Sequence, residues 1–141
     1  MARIERFEDL EIWQLARRLN KEIYELTCRD VFKRDFKLVD QMRGSSGSAM
    51  DNAAEGFERN NNREFYYFIR VAKGSTGELR SQLFGCLDRG FITEEEFKRL
   101  RTDVETLSGK QRNFMDYLKK VNAEEAKRLR PQRSKGADSA T

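Results

Sequence analysis

The chain's single proline stands at position 131, ten residues from the C-terminus. Proline breaks helix interiors, so nothing of that kind interrupts the first 130 residues,. Long helices are the natural expectation, and the apolar residues recur accordingly. Ile12, Ala16, Leu19, Ile23 and Leu26 step by three and four, which predicts a helix from about Leu10 to Cys28 with Asp9 as N-cap,. Trp13 and Tyr24 widen its apolar face. The connection 29–37 carries Val31, Phe32 and Phe36, so it should pack against the body.

A second helix is predicted over Leu38–Glu58, with Leu38, Met42, Ser45, Ala49, Asn52 and Gly56 on one face. Its centre, Gly44-Ser45-Ser46-Gly47-Ser48-Ala49, is poor helix material, because an interior Gly costs about 1 kcal/mol relative to Ala,. The periodicity nevertheless runs through it. Small residues that admit a neighbouring helix at close range offset the cost. After an Asn-rich turn, Asn61 and Glu64 resemble a capping box,. Phe65, Phe68, Ala72, Thr76, Leu79, Leu83 and Cys86 then mark a third helix, stopped at Gly90,. Thr93 and Glu96 form a capping box for the fourth, with Ile92 and Phe97 as a hydrophobic staple. Its stripe is Phe97, Leu100, Val104, Leu107, Phe114 and Leu118, interrupted by Gln111. The expected fold is an all-α, antiparallel up-down-up-down four-helix bundle over residues 1–121, with a basic, disordered tail over 122–141,.

Composition removes several functions. The chain has no histidine, which excludes Ser-His-Asp and Cys-His nucleophile systems and His-ligated metals,. Two cysteines, Cys28 and Cys86, are too few for a zinc site and suit free thiols in a reducing cytoplasm,. No signal peptide and no membrane span is expected. Catalytic residues, metals and cofactors are therefore all expected to be absent. The net charge of +4 is unevenly placed. Residues 1–118 hold 21 basic and 21 acidic side chains, while 119–141 hold seven basic and three acidic.

Three motifs occur in order. The first is Phe7-Glu8-Asp9-Leu10-Glu11-Ile12-Trp13-Gln14. The second joins Gln41-Met42-Arg43, Ser48 and Asn52-Ala53-Ala54-Glu55-Gly56. The third joins Glu64-Phe65, Phe68, Ala72-Lys73-Gly74-Ser75 and Glu78-Leu79. The series, over about residues 7–118, resembles the four-helix-bundle family of proteins encoded in 23S ribosomal RNA intervening sequences. The resemblance implies a homopentamer. It also implies kinship with the accessory variability proteins of diversity-generating retroelements, which are basic pentamers that bind a reverse transcriptase and nucleic acid. Gly44-Ser45-Ser46 departs from the family's usual Arg-Ala-Ala, so helix two should be weaker alone or more closely packed.

The same residues have a plainer account. At about 100° per residue, Gln41, Ser48, Asn52 and Glu55 fall within about 60° beside the apolar seam. Such a polar stripe suits a helix–helix or subunit boundary, and with Arg43 and Gly56 these positions are expected to be structural. Glu55 lacks any partner for catalysis. Gly74-Ser75-Thr76-Gly77 is no phosphate loop, since it falls mid-helix, and close helix packing accounts for it better. Arg63, Arg70, Lys73 and Arg80 occupy a sector of about 100° that holds no acid between Arg63 and Arg80,. Arg101, Arg112 and Lys119 share a line on helix four, broken by Glu105. With Lys120, these are candidates for phosphate-backbone contact; a merely solvated face is the alternative. The expectation is a non-enzymatic, cytoplasmic homo-oligomer that binds RNA or DNA, against an adaptor that presents a surface to an enzyme such as a reverse transcriptase.

Overall fold

The computed structural model describes residues 3–130. Among them are four α-helices and no strand: α1 (Glu11–Thr27), α2 (Phe36–Glu58), α3 (Asn62–Asp88) and α4 (Glu94–Arg128). Cross-helix contacts give each neighbouring pair its direction. Asn20 meets Ser46 while Thr27 meets Arg43; Ser48 meets Ser75 while Ser45 meets Gln82. Phe84 packs on Phe97 while Asn122 reaches Asn62, and Glu11 pairs with Lys110 while Glu22 pairs with Arg99. All four neighbouring pairs are antiparallel, so the helices close into an up-down-up-down bundle.

The connections follow from local chemistry. Asp9 does not cap α1: it lies in a 3-10 turn, Phe7–Asp9, and the N-cap is Leu10, which has no side-chain acceptor to offer and is buried instead. That turn lays Phe7 edge-on against Trp13, with 5.1 Å between ring centroids. Between α1 and α2 a second 3-10 turn, Asp30–Arg34, buries Phe32 against Phe91. Phe36 does not pack as expected; at the first turn of α2 it is 83% exposed. Asp35 caps α2 by accepting from Leu38 N at 3.0 Å, and its other oxygen meets Arg89 Nε, also at 3.0 Å. The tight α2–α3 turn holds Asn60 at φ 52°, a left-handed conformation that Asn tolerates,. Asn61 then caps α3 by accepting from Arg63 N and Glu64 N. Gly90, at φ 71°, ends the chain's turn out of α3,. The Thr93–Glu96 capping box opens α4, and Glu96 Oε2 also receives Arg29 at 2.6 Å.

One core runs the length of the bundle, with Ile23, Phe32, Met42, Ile69, Leu83 and Leu107 fully enclosed. The α3 stripe includes Ile69, and Phe68 sits only half-buried at its edge. Tyr24 is 48% exposed and stacks under the Arg43 guanidinium rather than entering the core. Gln111 is buried within the α4 stripe, and its Oε1 has no partner. Residues 122–128, expected to belong to a tail, are helical to Arg128. Asn122 anchors that stretch by donating to the Asn62 carbonyl at 3.2 Å. The rest of the expected tail from 131 onward, with Pro131, Arg133 and Lys135, lies outside the described residues.

Candidate nucleic-acid interface

The candidate cations lie on α3 and α4, two antiparallel neighbours. Each helix places residues seven apart on one line. Arg63, Arg70 and Arg80 are exposed on α3 and Lys73 is half-buried; Arg112, Lys119 and Lys120 are exposed on α4. The α3–α4 register divides them. In the half nearer Gly90, Glu105 lies 4.0 Å from Arg80 and 3.7 Å from Arg101, so one carboxylate serves two guanidiniums. Arg101 is drawn further in, over the Phe97 ring at 5.5 Å. In the half nearer the α2–α3 turn, Arg63, Arg70, Lys73, Arg112, Lys119 and Lys120 have no ion-pair partner among the described residues. The acids nearest the α4 members are Asp116, one turn from Arg112 and from Lys120, and Glu124, one turn beyond Lys120. Positive charge is therefore concentrated toward one end of the α3–α4 face. The helical stripes were readable in the sequence; the neutralising role of Glu105 toward Arg80 was not, because it depends on helix register.

The motif residues have separate, mainly structural surroundings. Arg43 Nε donates to Thr27 Oγ1 at 2.9 Å while its guanidinium lies 4.6 Å over Tyr24, which ties α2 to α1. Ser48 and Ser75 hydroxyls meet at 2.7 Å across α2 and α3, and Asn52 Nδ2 donates to Ser48 Oγ at 2.9 Å. Glu55 accepts from Arg59 at 2.8 Å on the surface, and Gln41 is exposed. At Gly56 a Cβ would come within 2.8 Å of Phe68 Cβ and 2.9 Å of Phe65 Cδ1, so this glycine is required by close packing. Close packing does not explain Gly44, Gly74 or Gly77, where a Cβ would meet nothing within 4 Å. Above Gly44 lies an open groove of about 550 Å³, lined by Gln41, Ser48, Ser75 and Gln82 among others and almost free of charge.

A cleft of about 890 Å³ opens at the α2–α3 turn. Its lining mixes Arg3 and Arg63 with Glu5, Glu58 and Glu125 over Phe57 and Phe65, and neither cysteine reaches it. No group of three or more Cys, Asp and Glu is placed to hold a metal ion among the described residues. Cys86 is enclosed beside Met42, with 3.3 Å between sulfurs, and burial pushes its thiol up to about 11. Cys28 is exposed, and both are free thiols. No helix among the described residues is long and apolar enough to cross a membrane.

A family model described as 23S rRNA-intervening sequence protein matches residues 8–113, which takes in α1, α2, α3 and the first part of α4. No curated protein matches the chain.

Proposed function

The chain belongs to the 23S rRNA-intervening sequence protein family, and on that footing we propose that it is a non-enzymatic, cytoplasmic protein that binds the backbone of RNA or DNA as a homo-oligomer. The observation that carries this is the concentration of six cations without ion-pair partners among the described residues, Arg63, Arg70, Lys73, Arg112, Lys119 and Lys120, on one end of the α3–α4 face. Like charges gathered on rigid helices repel one another, and a polyanion offsets that repulsion while releasing its own counterions. Copies arranged in a ring, a pentamer by the family's pattern, repeat the patch and add to the field. The groove over Gly44, Ser48 and Ser75 is the surface where a second copy would approach closely, on the side of α3 away from the cations. The same groove, whose lining carries the one charge of Glu78, favours the second reading, an adaptor seat for a protein such as a reverse transcriptase.

Purification with and without nuclease, followed by light scattering and by nucleic-acid binding across a salt series, tests these together. The expected results are a mass several times 16.6 kDa and an affinity that falls steeply with salt. Absence of salt-dependent binding at low ionic strength removes the nucleic-acid function and leaves the adaptor. A monomer at micromolar concentration removes the ring.

A further inference from the structure

We infer that the ligand of the α3–α4 face is a duplex held by phosphates of both strands, and not a single strand; the inference rests on the nucleic-acid function proposed above. Three contacts set the register of the two helices: Asn122 on Asn62, Phe114 on Phe65 and Phe97 on Phe84. That register brings Arg70 opposite Arg112, and Arg63 opposite Lys119 and Lys120. The cations thus form two rungs, seven residues or about 10 Å apart along the axes. The two rows stand on separate helices whose axes lie about 8–10 Å apart.

Two features of this arrangement favour a duplex. A single phosphate chain follows one row and leaves the other uncompensated, whereas the two strands bordering a groove present two phosphate rows at once. B-form grooves are about 6 and 12 Å wide and the A-form minor groove is wide and shallow, and long cationic side chains on two helices at that axial spacing can reach the strands on both sides of such a groove. The surface between the rows also offers little for unpaired bases. Proteins that hold single strands use projecting aromatic rings on which bases stack. Here Tyr66, Ser108 and Met115 are half-buried. Tyr67 stands on the side of the α3 row away from α4, with its ring edge-on to Phe68, and the equally exposed Tyr117 lies one turn before Lys120, on the side of the α4 row away from α3,. Neither ring lies between the rows, so the two do not form a continuous stacking track along one strand. No side chain projects as a groove-reading set, so the grip is on phosphates and independent of sequence.

The test uses the full chain and fluorescence anisotropy with labelled 16-nucleotide RNA and DNA, each as a duplex and as its non-pairing single strand, in about 50 mM salt. Duplexes are expected to bind at least about fivefold more tightly than single strands. Arg70→Glu and Arg112→Glu should each weaken duplex binding by about tenfold, because each removes a contact to a different strand. Arg18→Glu, an exposed change of equal charge on α1, should weaken it by less than about twofold, and circular dichroism should show unchanged helicity for all three variants. Single strands binding as tightly as duplexes overturn the duplex and leave nucleic-acid binding standing. Equal losses from Arg18→Glu and Arg70→Glu overturn the assignment to this face. Failure of every nucleic acid to bind overturns the function on which the inference rests.

Discussion

Alanine at two helix glycines should move stability in opposite directions. In α3, Gly74 is exposed and a Cβ there meets nothing within 4 Å. Gly74→Ala therefore gains helix propensity alone, about 0.8–1 kcal/mol. In α2, Gly56→Ala gains the same propensity but places its Cβ 2.8 Å from the Cβ of Phe68 and 2.9 Å from Phe65 Cδ1. The first of these contacts is the serious one, because a Cβ moves only with its backbone. Relief requires α2 and α3 to part by nearly 1 Å where Arg59 lies over the Phe68 ring and Phe57 packs edge-on to Phe65. Overpacking of this kind costs about 1–3 kcal/mol. Net of propensity, Gly56→Ala should destabilise by about 1 kcal/mol, and the two variants should differ by about 2 kcal/mol. Urea unfolding followed by circular dichroism at low protein concentration measures the difference. A Gly56→Ala protein as stable as Gly74→Ala would show that the helices are not in close approach at this point and would refute the packing described here.

Three further outcomes follow from individual side chains. The hydrogen bond from Arg29, together with that from the Thr93 backbone, holds the Glu96 carboxyl at about 2, below its ordinary 4.5; its contribution to stability is thus full above about pH 4.5 and is lost as pH falls toward 2. Glu96→Ala should lower stability at neutral pH by about 1–2 kcal/mol and flatten the acid limb of the pH–stability curve, and an unchanged limb contradicts this role. A thiol reagent should label one cysteine per chain rapidly, at the exposed Cys28, and the second only in denaturant, since Cys86 is enclosed and its thiol raised to about 11; two rapid equivalents would show that the core opens. Gln111→Met should raise stability by about 1 kcal/mol, because it replaces a buried amide whose Oε1 lacks a partner, and a loss measured by thermal unfolding would reveal a hydrogen bond to that amide,.

Features settled within a turn or two of chain were legible in the sequence. The Thr93–Glu96 box, the Gly90 stop and the Asn61 cap each depend on residues at most four apart, and each forms. The apolar periodicity located all four helices, although a step from Phe65 to Phe68 concealed Ile69, which faces the core centre one residue further on. Apart from Asp9, which the local 3-10 turn Phe7–Asp9 removes from the cap of α1, the differences gathered where a distant element decides. Phe36 is apolar yet exposed at the first turn of α2, while Phe32 of the same connection is the ring that packs on Phe91. Gly56 and Gly74 look alike in sequence, and only the neighbouring helix distinguishes them. The cation stripes were visible as helical lines, but their division into a neutralised half and an unpaired half depends on Glu105 lying across from Arg80. The family match covers residues 8–113 and stops before the last turns of α4, so it carried no information on the helical stretch to Arg128.

The α1–α4 edge is fastened differently from the others. Glu11–Lys110 at 2.9 Å, Glu22–Arg99 at 3.2 Å and Arg29–Glu96 at 2.6 Å run along it as three ionic clasps at the surface. The α2–α3 edge has such a pair, Asp35–Arg89 at 3.0 Å, at its end, and otherwise relies on neutral hydroxyl contacts and on the interlock at Gly56. Salt screens exposed ion pairs and leaves such packing almost untouched. Raising ionic strength therefore weakens one side of the bundle selectively, and amide protons of α1 should exchange faster while those of α2 and α3 keep their protection. The molecule is a hairpin of two tightly joined helices on which a salt-tunable door is hung.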